Sequence, residues 1–370
     1  MTALRILLPT RPRVLGLGEP THGEDALLDV RNEIFRSLVD DGYLTIAIES
    51  DCLMGLVVDD YVTGGRGSLD HVMEHGFSHG WGAAAGNREL VRWMRAYNEG
   101  RPAADQVRFA GFDGPLEIPS AASPRQALTA VHAHLATSVD ADLLPCTAET
   151  LDRLLGADEQ WTNPAAMMDP AASVGRTDAA VQLRLLADDL VTLLDEQTPV
   201  MSDLARLYGR TAVGLLRYHS WMADSSPGRL ARLTAVRDAM MAANLFAVAE
   251  RGPVFVHAHN SHLQRDQSSM RMGGQLVRWW SAGAIVSARL GADYAFVATA
   301  VGTIRRRGVE VPPSDTIEGQ MYAGPDSVSL VSPRSLPGGL APRVSPWFGY
   351  AALDPAQLAA IDGIVFVKDL

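Results

Sequence analysis

Carboxylates and imidazoles follow several apolar stretches of this sequence at the point where each stretch ends. The set comprises Glu19 and His22 after the run at 14–17, Glu49 after 45–48, Asp113 after 107–112, and His257, His259 and His262 after 254–256. Such groups together can provide a general base, a partner that orients it, donors for a developing oxyanion and an acid for the leaving group. Hydrolysis by an activated water is the simplest reaction that uses all of them.

Arg31 occupies the apolar face of the helix that we predict after the first of these stretches. It stands four residues after Leu27 and three before Ile34, which belong to an apolar stripe at helical spacing. A buried guanidinium needs carboxylate partners to offset its desolvation. We therefore expect an ion pair of Arg31 with Glu19 or Glu49, either within a functional site or as a structural contact.

The elements that must position these residues alternate between strand and helix patterns. Up to about residue 115, short apolar runs alternate with helical stretches, which is typical of βαβ units and a parallel sheet. Long helical periodicity then replaces this pattern, and strand patterns return near residue 253. We predict an α/β fold with a central, largely parallel β-sheet flanked by helices.

The same patterns predict how the chain is organised. Residues 1–115 and 251–370 form the two parts of the catalytic core, and residues 116–250 form a helical insertion or cap. A stretch rich in Pro, Gly and Ser at 322–346 predicts a long surface loop. Because the C-terminal ends of parallel strands meet at one edge of a sheet, we expect the polar residues to meet there.

Composition excludes several classes of protein. The formal net charge of −11 argues against a nucleic-acid partner, and two cysteines provide no disulfide framework and no zinc or redox motif. The apolar patch in the N-terminal segment at 1–13 is too short for a signal peptide, and no run reaches the roughly 18 to 20 apolar residues of a membrane span. We expect a cytoplasmic protein with no membrane partner; its oligomeric state stays open.

Two other kinds of chemistry have weaker support. No G-x-S-x-G motif provides a serine nucleophile, although Ser50 and Cys52 lie near the predicted site. The stretch HAHNSH at 257–262 could contribute ligands for zinc or manganese, but no H-E-x-x-H or similar spacing is present. We therefore expect no metal and no cofactor.

Several motifs in this sequence resemble those of the erythromycin esterase family. They are GEPTHG at 18–23, VRNEIFRSLV at 30–39, AIES at 47–50, LVRWMRAYN at 90–98, RFAGFDG at 108–114, VRDAMMAANL at 236–245 and HAHNSHL at 257–263, with MGGQL at 272–276. The resemblance implies a sheet flanked by helices, with a cleft in which a histidine activates water to open a lactone. It assigns the catalytic set to His22, Glu19, Arg31, Glu49, His259 and His262.

We therefore predict a carboxylic ester hydrolase, whose resemblance to the family implies a macrolide-like lactone as substrate and a role in antibiotic resistance. The residues expected to contact the substrate are His257, Asp113, His75, His79 and Trp81. One alternative is a tailoring enzyme of secondary metabolism, which would use the same groups for acyl transfer or other C–O bond chemistry. Another is a non-catalytic protein that binds a ligand or a haem-like group through its histidines.

Overall fold

The computed structural model describes residues 10–117, 120–197, 202–272, 274–345 and 347–370. Residues 1–9, which hold most of the segment judged too short for a signal peptide, lie outside this part. The chain divides into two compact units. The first comprises Met1–Phe112, Leu245–Met270 and Trp280–Leu370, and the second comprises Asp113–Asn244 and Arg271–Trp279. The predicted boundaries at 115 and 250 stay predictions.

The strands of the described residues, in chain order, are β1 (Val14–Glu19), β2 (Thr45–Asp51), β3 (Arg108–Asp113), β4 (Leu116–Glu117), β5 (Ser120–Ala121), β6 (Val254–His259), β7 (Gln267–Met272), β8 (Gln275–Trp280), β9 (Tyr294–Thr303), β10 (Val328–Val331) and β11 (Gly363–Asp369). Seven of them form one sheet in the order β10-β11-β9-β1-β6-β2-β3. β1 runs parallel to β6 and β9, β2 parallel to β6, and β11 parallel to β9.

The helices of the described residues are α1 (Asp25–Val39), α2 (Gly55–Val62), α3 (Leu69–His75), α4 (Ala85–Asn98), α5 (Arg125–Ala136), α6 (Ala148–Leu155), α7 (Asp158–Trp161), α8 (Asp178–Glu196), α9 (Asp203–Met222), α10 (Arg229–Glu250), α11 (Asn260–Leu263), α12 (Ala282–Leu290) and α13 (Ile317–Tyr322). The predicted α/β fold with a largely parallel sheet is confirmed. None of the described helices is long and apolar enough to cross a membrane.

One element contradicts the sequence prediction. The stretch at 322–346 contains β10, which pairs antiparallel with β11 at the edge of the sheet. The surface loop that we predicted for the whole stretch is therefore wrong for Val328–Val331. The four residues are Val, Ser, Leu and Val, and the surrounding Pro and Gly residues obscure their preference for a strand.

Apolar residues with the expected periodicities form the core of the first unit. Every residue of β1 and β9 is buried, which is typical of central strands covered on both faces. Phe35 of α1 stacks against Phe255 of β6 with 5.9 Å between ring centroids. Full burial of such a side chain contributes about 1.5–3 kcal/mol to stability. The apolar face of α1 thus fixes this helix against the strand that carries His257 and His259.

Gly18 in β1 allows a close approach of the polypeptide that follows β6. A Cβ atom at this position would lie 2.1 Å from Oδ1 of Asn260, the first residue of α11. The side chain of Asn260 donates to the carbonyl of Thr299 over 2.9 Å and accepts the backbone N–H of the same residue over 3.3 Å. The glycine therefore permits a contact that attaches α11 to β9.

Leucine and alanine side chains build a separate core in the second unit. Leu128 of α5, Leu190 of α8 and Leu216 of α9 are almost completely buried in one apolar cluster. Thr177 and Ser202 cap the N-termini of α8 and α9 by accepting backbone N–H groups. The long helical periodicity of this part of the sequence thus corresponds to amphipathic helices that pack on one another.

Candidate active site

Three neighbouring strands bring the site residues together at the end of the sheet where the C-termini of these strands meet. β6 lies between β1 and β2 and is parallel to both. In this register Glu19, the last residue of β1, is the partner of His259, the last residue of β6. Glu49 of β2 follows Ile48, which is the partner of His257. Residues far apart in the sequence therefore become neighbours through the pairing of these strands.

His22 lies in the loop between β1 and α1, where its ring makes a short hydrogen bond to Glu19. Nδ1–H of His22 donates to Oε1 of Glu19 over 2.6 Å, and Nε2 lies 4.0 Å from Oε1 of Glu49. An ionised carboxylate can only accept, so the neutral ring carries its proton on Nδ1 and its lone pair on Nε2. His22 is therefore oriented as a base whose basic atom is Nε2.

The charges around this pair keep Glu19 ionised and increase the basicity of His22. Burial lowers the pKa of His22, but the charge of Glu49 and the hydrogen bond and charge of Glu19 outweigh it, so the pKa is raised above 6.5. Burial raises the pKa of Glu19, but the fields of His257 and His22 and the hydrogen bond from His22 reverse this, so the pKa lies below its ordinary value.

Glu49 stands between two imidazoles. Its Oε1 is 3.4 Å from Nε2 of His262 and 4.0 Å from Nε2 of His22. Its Oε2 accepts the backbone N–H of His259 over 2.8 Å, and the side chain is buried. A fixed negative charge at this place stabilises a cation that forms on either ring.

His257 is buried behind Glu19. Its Nε2 is 3.6 Å from Oε2 of Glu19, an oxygen that has no hydrogen-bond partner within the described residues. Burial lowers the pKa of His257 to about 4, and although Glu19 opposes this, the charges of Arg31 and His22 add to it. Near pH 7, His257 is thus neutral. The predicted contact of His257 with substrate stays a prediction.

His259 faces His22 across the site, with 5.2 Å between the ring centroids. Nδ1 of His259 lies 2.7 Å from the hydroxyl oxygen of Ser261 and accepts the backbone N–H of the same serine over 3.2 Å. Burial lowers the pKa of His259 to about 4, and the charge of His22 acts in the same direction. Two imidazoles with opposite pKa shifts therefore share one site.

Arg31 is completely buried, but the ion pair that we predicted with Glu19 or Glu49 is wrong. Its guanidinium donates to Oδ1 of Asn32 over 2.8 Å, to Oδ1 of Asn87 over 2.8 Å and to a backbone carbonyl. Burial lowers the pKa of Arg31 to about 10, and the charge of Glu19 opposes this shift. Neutral acceptors thus bind the cation, and it acts on the site through its field.

Trp81 packs against His22 with 4.8 Å between the ring centroids. Its indole N–H donates to the backbone carbonyl of Glu49 over 2.8 Å, and its own carbonyl accepts from Nδ2 of Asn87 over 2.9 Å. Asn87 also binds Arg31, so one amide side chain connects the buried cation with the tryptophan. Trp81 is partly buried.

The other three residues predicted to bind substrate have different surroundings. Asp113 is fully buried and accepts from the guanidinium of Arg237, with 2.6 Å between Nη2 and Oδ2. His75 is about half exposed at the end of α3 and contacts the ring of His71. His79 has a φ of 55° and meets Trp81 edge to face at 6.0 Å. Their substrate contacts stay predictions.

Three polar residues at this site escaped the sequence analysis. Asn32 and Asn87 are buried on helices, and Ser261 stands between His259 and His262. An asparagine within a helical apolar stripe signals a buried polar contact, but its partner depends on tertiary packing. The described residues contain no group of three or more His, Cys, Asp or Glu side chains arranged to hold a metal ion.

The fold and this group of paired carboxylates and imidazoles define the chain as an α/β protein with a cluster of titratable side chains at the C-terminal ends of its central strands. A sequence model of the erythromycin esterase family matches residues 39–363, and the chain belongs to that family. Membership indicates a hydrolase of the esterase type. The matched range contains Glu49, His259 and His262, whereas Glu19, His22 and Arg31 precede it.

Solved structures share the fold over nearly the whole chain. A protein from Bacillus cereus is 18% identical with a TM-score of 0.73, and the match covers 99% of this chain and 90% of that one. A succinoglycan biosynthesis protein is 16% identical with a TM-score of 0.72 and the same coverage, 99% and 90%. A histidine-to-asparagine variant of the erythromycin esterase EreC in its open conformation is 18% identical with a TM-score of 0.69, covering 98% and 93%. No curated protein matches this chain.

Proposed function

We propose that this protein hydrolyses a carboxylic ester or lactone of a macrolide-like substrate with a water activated by His22. The observation that carries the proposal is the pair formed by His22 and Glu19. A carboxylate 2.6 Å from Nδ1 leaves Nε2 as the basic atom, and the neighbouring Glu49 raises the pKa of the same ring. This is the arrangement that general-base catalysis needs.

Each remaining residue has a role in the proposed reaction. Nε2 of His22 takes a proton from water while the water oxygen attacks the carbonyl carbon. Glu19 and Glu49 stabilise the imidazolium that results, and Arg31 supplies a fixed positive field near the carboxylates. His259 and His262 polarise the carbonyl or protonate the departing alkoxide. Cleavage of the C–O bond then yields a carboxylic acid and an alcohol.

The residues that we predicted to contact the substrate differ in their exposure to solvent. Trp81 packs against His22 and is only partly buried, which supports a direct contact with the substrate. We retain His75 and His79 as more distant substrate contacts. His257 and Asp113 are buried, and we retain them as proposed substrate contacts. The low cysteine content favours a cytoplasmic location, which we also propose.

Incubation with a panel of macrolides and smaller lactones, followed by mass spectrometry for the gain of one water, tests the proposal. We expect ring opening by the unmodified protein and a loss of at least about 100-fold in the His22→Ala variant, the usual contribution of a general base. His134→Ala, which changes a histidine of the second unit, is the matched control. If the protein binds compounds of the panel but none of them gains a water, the hydrolysis proposal is dropped in favour of acyl transfer or another tailoring reaction.

A further inference from the structure

Ser261 lies between His259 and His262 in the short helix α11 and makes two contacts with one atom. His259 is the N-cap residue of this helix, and its side chain accepts the backbone N–H of Ser261 at Nδ1. The hydroxyl oxygen of Ser261 lies 2.7 Å from the same Nδ1. One ring nitrogen thus meets both polar groups at the start of the helix.

These two contacts determine which tautomer the ring adopts. A backbone N–H can only donate, so Nδ1 must present its lone pair to Ser261, and the hydroxyl then donates to Nδ1 as well. The proton of neutral His259 is therefore on Nε2. His22 has the opposite tautomer, because its Nδ1 donates to Glu19. At Nε2, His22 accordingly presents a lone pair and His259 presents an N–H.

The peptide of Ser261 is itself held in place. Its carbonyl accepts the hydroxyl of Ser268, and that hydroxyl accepts from Nε2 of Gln264 over 2.9 Å. Asn260 attaches the same turn to Thr299 of β9. Since both donors belong to a fixed turn, protonation of Nδ1 would remove two hydrogen bonds at once. The turn therefore selects the neutral Nε2–H form of His259.

We propose that Ser261 is a positioning residue, which holds His259 as its Nε2–H tautomer so that His259 donates a hydrogen bond to the carbonyl oxygen of the ester. Nε2 of His259 has no hydrogen-bond partner among the residues that the structure describes, and the residue is partly exposed. A neutral imidazole is an effective donor to a developing oxyanion, because it donates its N–H without any change in its own charge. The catalytic part rests on the proposed function; the tautomer does not.

Nitrogen NMR of protein labelled with ¹⁵N-histidine tests the tautomer without any substrate. The ring signals of His259 are identified by their loss in His259→Asn. At pH 7 we expect Nδ1 to resonate as an unprotonated nitrogen and Nε2 as a protonated one. A protonated Nδ1 in the unmodified protein would overturn the proposal, whatever the outcome of the hydrolysis assay.

Substitution of Ser261 tests its part in this arrangement. The ring is surrounded by the charged or titratable groups of His22, Glu49, His262 and Glu19, which stay in place in Ser261→Ala. Loss of one donor to the neutral ring should raise the titration midpoint of His259 by on the order of half to one pH unit. An unchanged midpoint would overturn the role of the hydroxyl.

Kinetics separates positioning from a purely structural role. We expect Ser261→Ala to lower kcat about three- to tenfold with little change in KM, because the weakened donor acts on the transition state. Ser261→Thr retains the hydroxyl and should restore kcat to within about twofold. Ser269→Ala, an exposed serine of β7, is the matched control. Equal kcat losses in the Ala and Thr variants would argue against the hydroxyl and overturn the proposal.

Discussion

The rings of His22 and His259 lie 5.2 Å apart with their planes tilted by 56°, and their pKa values are shifted in opposite directions. Burial and the charge of His22 lower the pKa of His259, whereas the charges of Glu49 and Glu19 and the hydrogen bond to Glu19 outweigh burial and raise the pKa of His22. Environments that separate the pKa values of two neighbouring groups are a general way to assign an acid and a base within one site. The predictions below follow from this relationship and from the contacts that support it.

The first prediction concerns the pH dependence of hydrolysis. A general base must be unprotonated, so activity rises as pH increases through its pKa. Because the pKa of His22 is raised above 6.5, the acid limb of the profile of log kcat/KM should have its midpoint above pH 6.5. In Glu49→Gln the main charge that raises this pKa is absent, and the midpoint should move to lower pH. A profile that stays in place would show that another group titrates.

The second prediction concerns Trp81. Trp81→Phe retains an aromatic ring beside His22 but removes the indole N–H that binds the carbonyl of Glu49. Loss of one neutral hydrogen bond that positions Glu49 should lower kcat/KM about three- to tenfold. Trp81→Ala removes the ring as well and should cost more. The measurement is steady-state kinetics, and equal values for both variants would exclude a separate contribution from the ring.

The third prediction concerns the glycine in β1. Gly18→Ala places a Cβ against the side chain of Asn260, and such overpacking typically costs about 1–3 kcal/mol of unfolding free energy. Because Asn260 begins α11, the same change should displace His262 and lower activity. Gly338→Ala is the control, since no atom lies within 4 Å of the added methyl group. Urea unfolding and the hydrolysis assay measure the two effects; similar results for both variants would contradict the close contact.

The fourth prediction concerns Asp113 and Arg237. Arg237→Met leaves a fully buried carboxylate without its guanidinium partner, which should cost about 3–5 kcal/mol of unfolding free energy. Asp152→Asn disrupts an exposed ion pair in the same unit and should cost less than about 1 kcal/mol. Urea unfolding of both variants measures these losses of unfolding free energy. A loss below about 1 kcal/mol in Arg237→Met would mean that water or another group solvates Asp113.

Much of the fold follows from the sequence, because alternation of apolar runs and helical stripes is a local property. The strands that end near Glu19, Glu49 and His259 are all where their apolar runs predict. The pairing of β1 with β6 is not local, and neither is the edge strand β10, whose four residues are hidden among Pro and Gly. Pattern analysis finds elements more readily than it finds their neighbours.

The site was partly predictable for the same reason. Strand ends place Glu19 and His259 at one edge, but the partners of a buried cation depend on which side chains pack around it. Arg31 therefore binds Asn32 and Asn87 in place of the carboxylates that we expected. Ser261 gave no signal of its own, because its effect lies in the direction of one N–H and one hydroxyl.

The strand order of the sheet has a consequence for synthesis of the chain on the ribosome. β1 and β2 are made early but are not neighbours, because β6 lies between them and β9 lies on the other side of β1. A nascent chain that ends before Val254 contains Glu19, His22 and Glu49 without the strand that brings them together. The site therefore assembles only in the last third of translation, and until then the edges of β1 are open to incorrect pairing.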